Sequence, residues 1–113
     1  MRPSLSIALL LSLLPVVHAD DLAALIRAVL ESPAVTDPAT RSAAYQSDKL
    51  PPALREYVAK VHGESYRITD GDVQALVAGG YSPDAVFEIT VAAALGAAMR
   101  RLEAGLGVLR EER

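Results

Sequence analysis

The sequence predicts a small all-α domain with one long, alanine-rich C-terminal helix. Apolar residues recur at steps of three and four in several segments, which is the spacing of one face of a helix. Helix start signals, an acid or a hydroxyl close to a proline, precede most of these segments. No stretch sustains the alternation of apolar and polar residues that is typical of a strand, so we expect no β-sheet.

Residues 1–19 have the pattern of a secretory signal peptide. Arg2 supplies the positive end, residues 5–17 are mostly apolar, and Val17, His18 and Ala19 occupy the cleavage region. The apolar run is shorter than the roughly 20 residues of a membrane-spanning helix, so we expect no stable membrane span. The pattern predicts a periplasmic or secreted protein that begins at Asp20. The alternative is a cytoplasmic protein whose start codon has been placed too far upstream.

The remainder, residues 20–113, is predicted to form one helical domain, with an N-terminal helical arm at 20–50 and a core at 51–110. Asp20 or Asp21 caps the first helix, and Pro33 ends it. Asp37 and Pro38 begin a second, short helix, which is followed by a proline-containing loop at 46–52. The apolar stripe of the first helix consists of Leu22, Leu25, Ile26, Val29 and Leu30.

Two short helices open the predicted core. The first runs from Pro52 to Gly63. The second begins at Thr69, whose hydroxyl forms a capping box with Asp72, and it ends at a pair of glycines. The residues predicted to face inward from the first of them are Leu54, Tyr57, Val58 and Val61.

The long helix is predicted over residues 83–110, after a start signal of serine, proline and aspartate. Gly96, Gly105 and Gly107 each cost about 1 kcal/mol relative to alanine inside a helix, so each needs close packing or fraying to explain it. We expect the helix to fray beyond Gly105. The inward positions are Val86, Ile89, Ala93 and Gly96 or Ala97, and then Leu102, Leu106 and Leu109. A second apolar stripe, formed by Leu95, Met99, Leu102 and Leu106, is predicted to support self-association.

Composition excludes several classes of function. A net charge of −3 and a pI near 5.3 argue against nucleic acid as a partner, because phosphate binding needs a basic surface. The absence of cysteine excludes thiol peroxidase chemistry and thiolate metal sites. Two histidines argue against a histidine-rich metal site, so we expect neither a metal nor a cofactor.

Residues 52–109 carry a family resemblance. The segment combines residues 66–69 (YRIT), the pair Asp72-Val73, residues 78–82 (AGGYS), an alanine-rich helix and an ending at 100–107 (RRLEAGLG). This pattern resembles the C-terminal half of AhpD-like proteins, in the alkylhydroperoxidase and carboxymuconolactone decarboxylase superfamily. The Cys-x-x-Cys motif and following histidine of that family have no counterpart here, and Arg100 stands where the family often has asparagine. The resemblance implies an all-α fold and oligomerisation through helices, without the redox activity.

Three residues are candidates for chemistry. His62 and Glu64 lie close together in the sequence, beside Tyr66, and an imidazole with a carboxylate can carry out general acid–base catalysis. The alternative is that His62 interacts with free carbonyls at a helix C-terminus. Glu88 is either an acid at the rim of the domain or a buried acid paired with Arg55 of another helix or, across an interface, with Arg101.

Together with the resemblance, the residues favour a non-catalytic module, similar to AhpD-like proteins, that acts in self-association or in binding a related helical protein. The alternative is a small cysteine-independent enzyme of the decarboxylase or isomerase type that uses His62 and a carboxylate. A pocket distinguishes the two hypotheses, because the enzyme needs His62 to converge with Glu64, Glu88 or an arginine in a concave site.

Overall fold

The computed structural model describes residues 19–111, which form five α-helices, one turn of 3₁₀-helix and no strand. The prediction of an all-α fold with one long C-terminal helix is confirmed. The predicted leader, apart from Ala19, lies outside the described residues. The helices are α1 (Ala19–Glu31), α2 (Pro38–Gln46), α3 (Pro52–Gly63), α4 (Asp70–Ala78) and α5 (Pro83–Glu111), and the 3₁₀ turn is Ser65–Arg67.

The start of α4 has the predicted capping box. The Asp72 amide donates to Thr69 Oγ1 at 3.3 Å, and the Thr69 amide donates to Asp72 Oδ2 at 2.9 Å. Lys60 of α3 adds an ion pair with Asp72, with Nζ–O distances of 3.0 and 3.1 Å. The backbone N–H of Thr69 and the Lys60 ammonium together hold the pKa of Asp72 below its ordinary value. The cap therefore fixes both the beginning of α4 and its position against α3.

The hydrophobic core lies between α5 and the helices that precede it. Leu54, Val58 and Ile89 are fully buried at its centre. Ala44 and Leu50, from the segment predicted to be an arm, belong to the same cluster as the residues of the predicted core. The complete cluster contains Ala44, Leu50, Leu54, Tyr57, Val58, Val61, Leu76, Val86, Ile89, Ala92 and Ala93.

The backbones of α2 and α5 meet at Gly96. A Cβ atom at this position would overlap the carbonyl group of Tyr45, at 2.8 Å from its carbon atom and 3.0 Å from the Tyr45 Cα. Glycine is therefore required there, because any side chain would push the two helices apart. The predicted close packing explains this glycine.

The predicted fraying beyond Gly105 is wrong, because α5 continues to Glu111. Leu106 and Leu109 are partly buried in this last part of the helix. Burial of a whole leucine side chain stabilises a fold by roughly 1.5–3 kcal/mol, so even partial burial offsets a glycine cost of about 1 kcal/mol.

Candidate functional site: the exposed face of the long helix

His62 lies near the C-terminus of α3 and connects this helix to α2. Its Nε2 atom is 2.8 Å from the carbonyl oxygen of Ala44. A carbonyl oxygen only accepts, so Nε2 carries the proton and donates it to this bond. The other ring nitrogen, Nδ1, is buried without a partner among the described residues. His62 therefore interacts with a carbonyl near a helix end, as the structural alternative predicted, although the carbonyl belongs to a neighbouring helix.

Glu64 and Tyr66 do not join His62 in a site. The Glu64 carboxylate accepts a hydrogen bond from Arg67 Nη1 at 3.1 Å, and both side chains are at least half exposed. Glu64 lines an open depression of about 540 Å³ whose lining residues do not include His62. Tyr66 is 83% exposed. The described contacts bring none of these three side chains into a shared hydrogen bond.

Glu88 fastens the loop between α1 and α2 to the long helix. Its Oε1 atom accepts from the Thr36 amide at 2.8 Å and from Thr36 Oγ1 at 2.7 Å, and its Oε2 atom accepts from the Val35 amide at 3.1 Å. These hydrogen bonds, led by the Thr36 amide and aided by the positive charge of Arg41, hold the pKa of Glu88 below its ordinary value. Glu88 thus has a structural role that the sequence did not predict.

The arginines considered as partners of Glu88 bind elsewhere in the chain. Arg55 Nη2 donates to the carbonyl of Leu50 at 3.3 Å, and Arg101 Nη2 donates to the carbonyl of His62 at 2.8 Å. Arg100 likewise donates to the carbonyl of Gln46. The contacts of Arg100 and Arg101 cover the carbonyl ends of α2 and α3 with positive charge, which is the favourable sign at a helix C-terminus.

Arg41 is a structural residue that the sequence analysis missed. It is only 3% exposed. Its Nη1 atom donates to the Val29 carbonyl at 2.7 Å, and its Nη2 atom donates to the carbonyls of Ser32 at 2.5 Å and Thr36 at 3.4 Å. Arg41 therefore holds the C-terminal end of α1 on α2. The feature of the sequence that indicates its burial is its position one helical turn before the buried Ala44, on the same face of α2.

Glu88→Gln is expected to reduce stability at neutral pH and to remove part of its pH dependence. Because folding lowers the pKa of Glu88 below its ordinary value of 4.5, the ionised carboxylate stabilises the fold above that value. This contribution is lost as the pH falls through the lower, folded-state pKa. Urea unfolding from pH 7 to pH 3 should show wild type and variant converging below pH 4.5.

Glu64→Gln is the matched control, because it removes an exposed ion pair that contributes little to stability. A constant difference between wild type and Glu88→Gln from pH 7 to pH 3 would contradict the assigned role of the ionised carboxylate.

The long helix has an apolar face that α1 to α4 leave uncovered. Phe87 is 68% exposed and Val108 is 54% exposed. Between them Ala94, Ala98 and Gly105 are exposed and Val91 is partly buried. Successive residues of this set are three, four or seven positions apart in the sequence, so their side chains lie along one side of the helix. We define the exposed face of α5 as Phe87, Val91, Ala94, Ala98, Gly105 and Val108.

The exposed face differs from the second stripe that the sequence analysis proposed. Leu95, Met99, Leu102 and Leu106, which form that stripe, are all partly buried. Phe87, which belongs to neither predicted stripe, is the single phenylalanine of the chain and follows directly after the inward-facing Val86. A large aromatic residue next to an inward position, on a helix that is apolar on most sides, is the signal that could have identified it.

Comparisons with models of protein families, with curated proteins and with solved structures return no match. Within residues 19–111, no three metal-binding side chains form a group that could hold an ion. None of the helices in this range combines the length and the apolar character of a membrane-spanning segment.

Proposed function

We propose that this chain is an AhpD-like helical module that acts by self-association through the exposed face of α5 and carries out no catalysis. The exposure of Phe87 supports this proposal most strongly. An aromatic side chain provides a large area for apolar contact, and this one is directed to solvent from the helix that forms the core. Exposed apolar surface of this kind, extended along one helix, is typical of an interaction surface.

The helix presents this face in a fixed orientation. Ile89, Ala92 and Ala93 are fully buried on the opposite side of α5, so the backbone beneath Phe87 is held by the core. A surface that is ordered before binding loses little conformational entropy when a partner docks. The side chains of Ala94 and Ala98 are small, which allows the backbone of a second helix to approach closely.

The hydrogen bonds of the candidate catalytic residues support a structural role over the decarboxylase or isomerase alternative. His62 donates to a backbone carbonyl, and the Glu88 carboxylate accepts from two backbone amides and a hydroxyl. General acid–base catalysis requires a group that is free to exchange a proton with a substrate. These two groups instead connect helices and loops of the same chain.

Phe87→Glu is expected to abolish self-association and to leave the monomer folded. Burial of a phenylalanine contributes roughly 1.5–3 kcal/mol and both copies lose it, so the substitution weakens association by at least about a hundredfold, and unpaired buried charges weaken it further. Because Phe87 is mostly exposed in the monomer, its substitution removes little intramolecular packing. Sedimentation at micromolar concentration should give a dimer or larger species for the wild type and a monomer for the variant.

Gln74→Glu is the matched control, because it adds the same charge at an exposed position of α4. It should sediment as the wild type does. Leu95→Asp is also expected to disrupt the assembly, but Leu95 is partly buried, so that variant combines loss of association with loss of folding. A wild type that sediments as a monomer would contradict the proposed function.

A further inference from the structure

We infer that the partner on the exposed face of α5 is a second copy of this chain, packed antiparallel about a two-fold axis level with Gly96. This inference rests on the proposed function and specifies its partner and geometry. A two-fold axis places each residue opposite the residue that lies equally far on the other side of the axis. The sizes and charges along α5 fit this arrangement.

Side-chain size is complementary about Gly96. Phe87 and Gly105 are equally far from this residue along the helix, so each phenylalanine lies opposite a glycine of the other copy. Ala94 and Ala98 are also equally far from it and lie opposite each other near the axis. The largest side chain of the face therefore meets the residue without a side chain, and the small residues allow the two helices to approach at the centre.

A parallel arrangement lacks this fit. Each residue would lie beside its own copy, so two Phe87 rings would meet at one end and two Gly105 residues at the other. The rings would separate the helices at one end, and the glycines would leave a gap at the other. Unfilled space of this kind loses the dispersion contacts on which a packed interface depends.

The charges of α5 favour the same direction. Its first half contains Asp84 and Glu88 and no basic residue. The second half, from Ala98, contains the basic residues Arg100, Arg101 and Arg110 and the acidic residues Glu103 and Glu111. Antiparallel packing places the acidic half of each helix beside the net basic half of the other. It also places the positive end of each helix dipole beside the negative end of its neighbour.

Arg101 completes the arrangement. Arg101 and Val91 are equally far from Gly96 on opposite sides, so Arg101 of one copy faces Val91 of the other. Its guanidinium group is held by the carbonyl of His62, so the apolar part of its side chain is available to cover Val91. Arg101, which lies between Ala98 and Gly105 on the same side of α5, is thus compatible with the contact.

Single-cysteine variants test the direction directly, because the natural chain contains no cysteine. Phe87→Cys and Gly105→Cys are prepared separately and then mixed, and a short bismaleimide is added. In the antiparallel dimer the two Phe87 positions are about 27 Å apart along the helix, at about 1.5 Å per residue, whereas positions 87 and 105 are adjacent. We expect the mixture to cross-link at least about tenfold faster than Gly105→Cys alone, which retains Phe87 in both copies, because adjacency raises the effective concentration of the thiols.

Ala94→Cys with Ala98→Cys repeats the experiment with Phe87 retained, and the mixed pair should form a disulfide faster than either variant alone. Gln74→Cys, away from the exposed face, should give no cross-linked dimer. Fast cross-linking of Phe87→Cys with itself would establish a parallel dimer and overturn the inference. A wild type that sediments as a dimer, with no preferential cross-linking at either mixed pair, would place the contact elsewhere and also overturn it, while leaving self-association intact.

Discussion

Gly96→Ala is expected to destabilise the protein by about 1–3 kcal/mol or more, although alanine is the better helix former. The added Cβ atom would overlap the backbone carbonyl of Tyr45, and a backbone atom cannot rotate away as a side chain can. The strain must be relieved by separating α2 from α5, which would disturb the core around Ala44 and Ala93. Chemical denaturation followed by circular dichroism at 222 nm measures the effect.

Gly107→Ala is the matched control in the same helix. A Cβ atom at Gly107 has no neighbour within 4 Å, so this variant should be more stable than the wild type by up to about 1 kcal/mol. The two substitutions are chemically identical, and they should change the free energy of unfolding in opposite directions. Equal stability of Gly96→Ala and the wild type would show that the backbones of α2 and α5 do not meet as described.

Arg41→Leu is expected to reduce the free energy of unfolding by about 3 kcal/mol or more. It removes the donors to three backbone carbonyls, and a hydrogen bond from a charged group contributes about 1.5–3 kcal/mol. It also removes the positive charge that acts on Glu88. The amides of α1 should lose protection against hydrogen exchange, because Arg41 holds the C-terminal end of that helix.

Arg55→Leu serves as the comparison. Arg55 is exposed and donates one long hydrogen bond to the Leu50 carbonyl, so its replacement should cost less than about 1 kcal/mol. If Arg41→Leu were no more destabilising than Arg55→Leu, the assigned role of Arg41 in holding α1 would be wrong.

Features that depend on neighbouring residues in the sequence could be predicted. Thr69 and Asp72 are three positions apart, and their capping box follows from that spacing. The burial of Leu54 and Val58 follows from their places in one helical stripe. Such features are determined locally, so neither the order of packing nor the path of the loops affects them.

Features that depend on distant parts of the chain could not be predicted. Glu88 was expected to lie at the rim of the domain or to pair with an arginine, but its partners are backbone groups of a loop more than fifty positions earlier. Arg41 binds carbonyls that become available only where α1 ends against α2. Backbone amides and carbonyls are present at every residue, so the sequence gives no sign of which of them a side chain will bind.

The contact between Glu88 and the Val35–Thr36 backbone also has a consequence for the order of folding. Glu88 is separated from Thr36 by 52 positions in the sequence and from Val35 by 53. Forming the contact therefore closes a long loop, which happens late in folding. On a ribosome that adds about 5–20 residues per second, α1 is made several seconds before the acid that fastens its loop. During that interval the N-terminal part of the chain has no means of docking through Glu88. The synthesis of α5 therefore determines when the loop between α1 and α2 becomes fixed to the long helix.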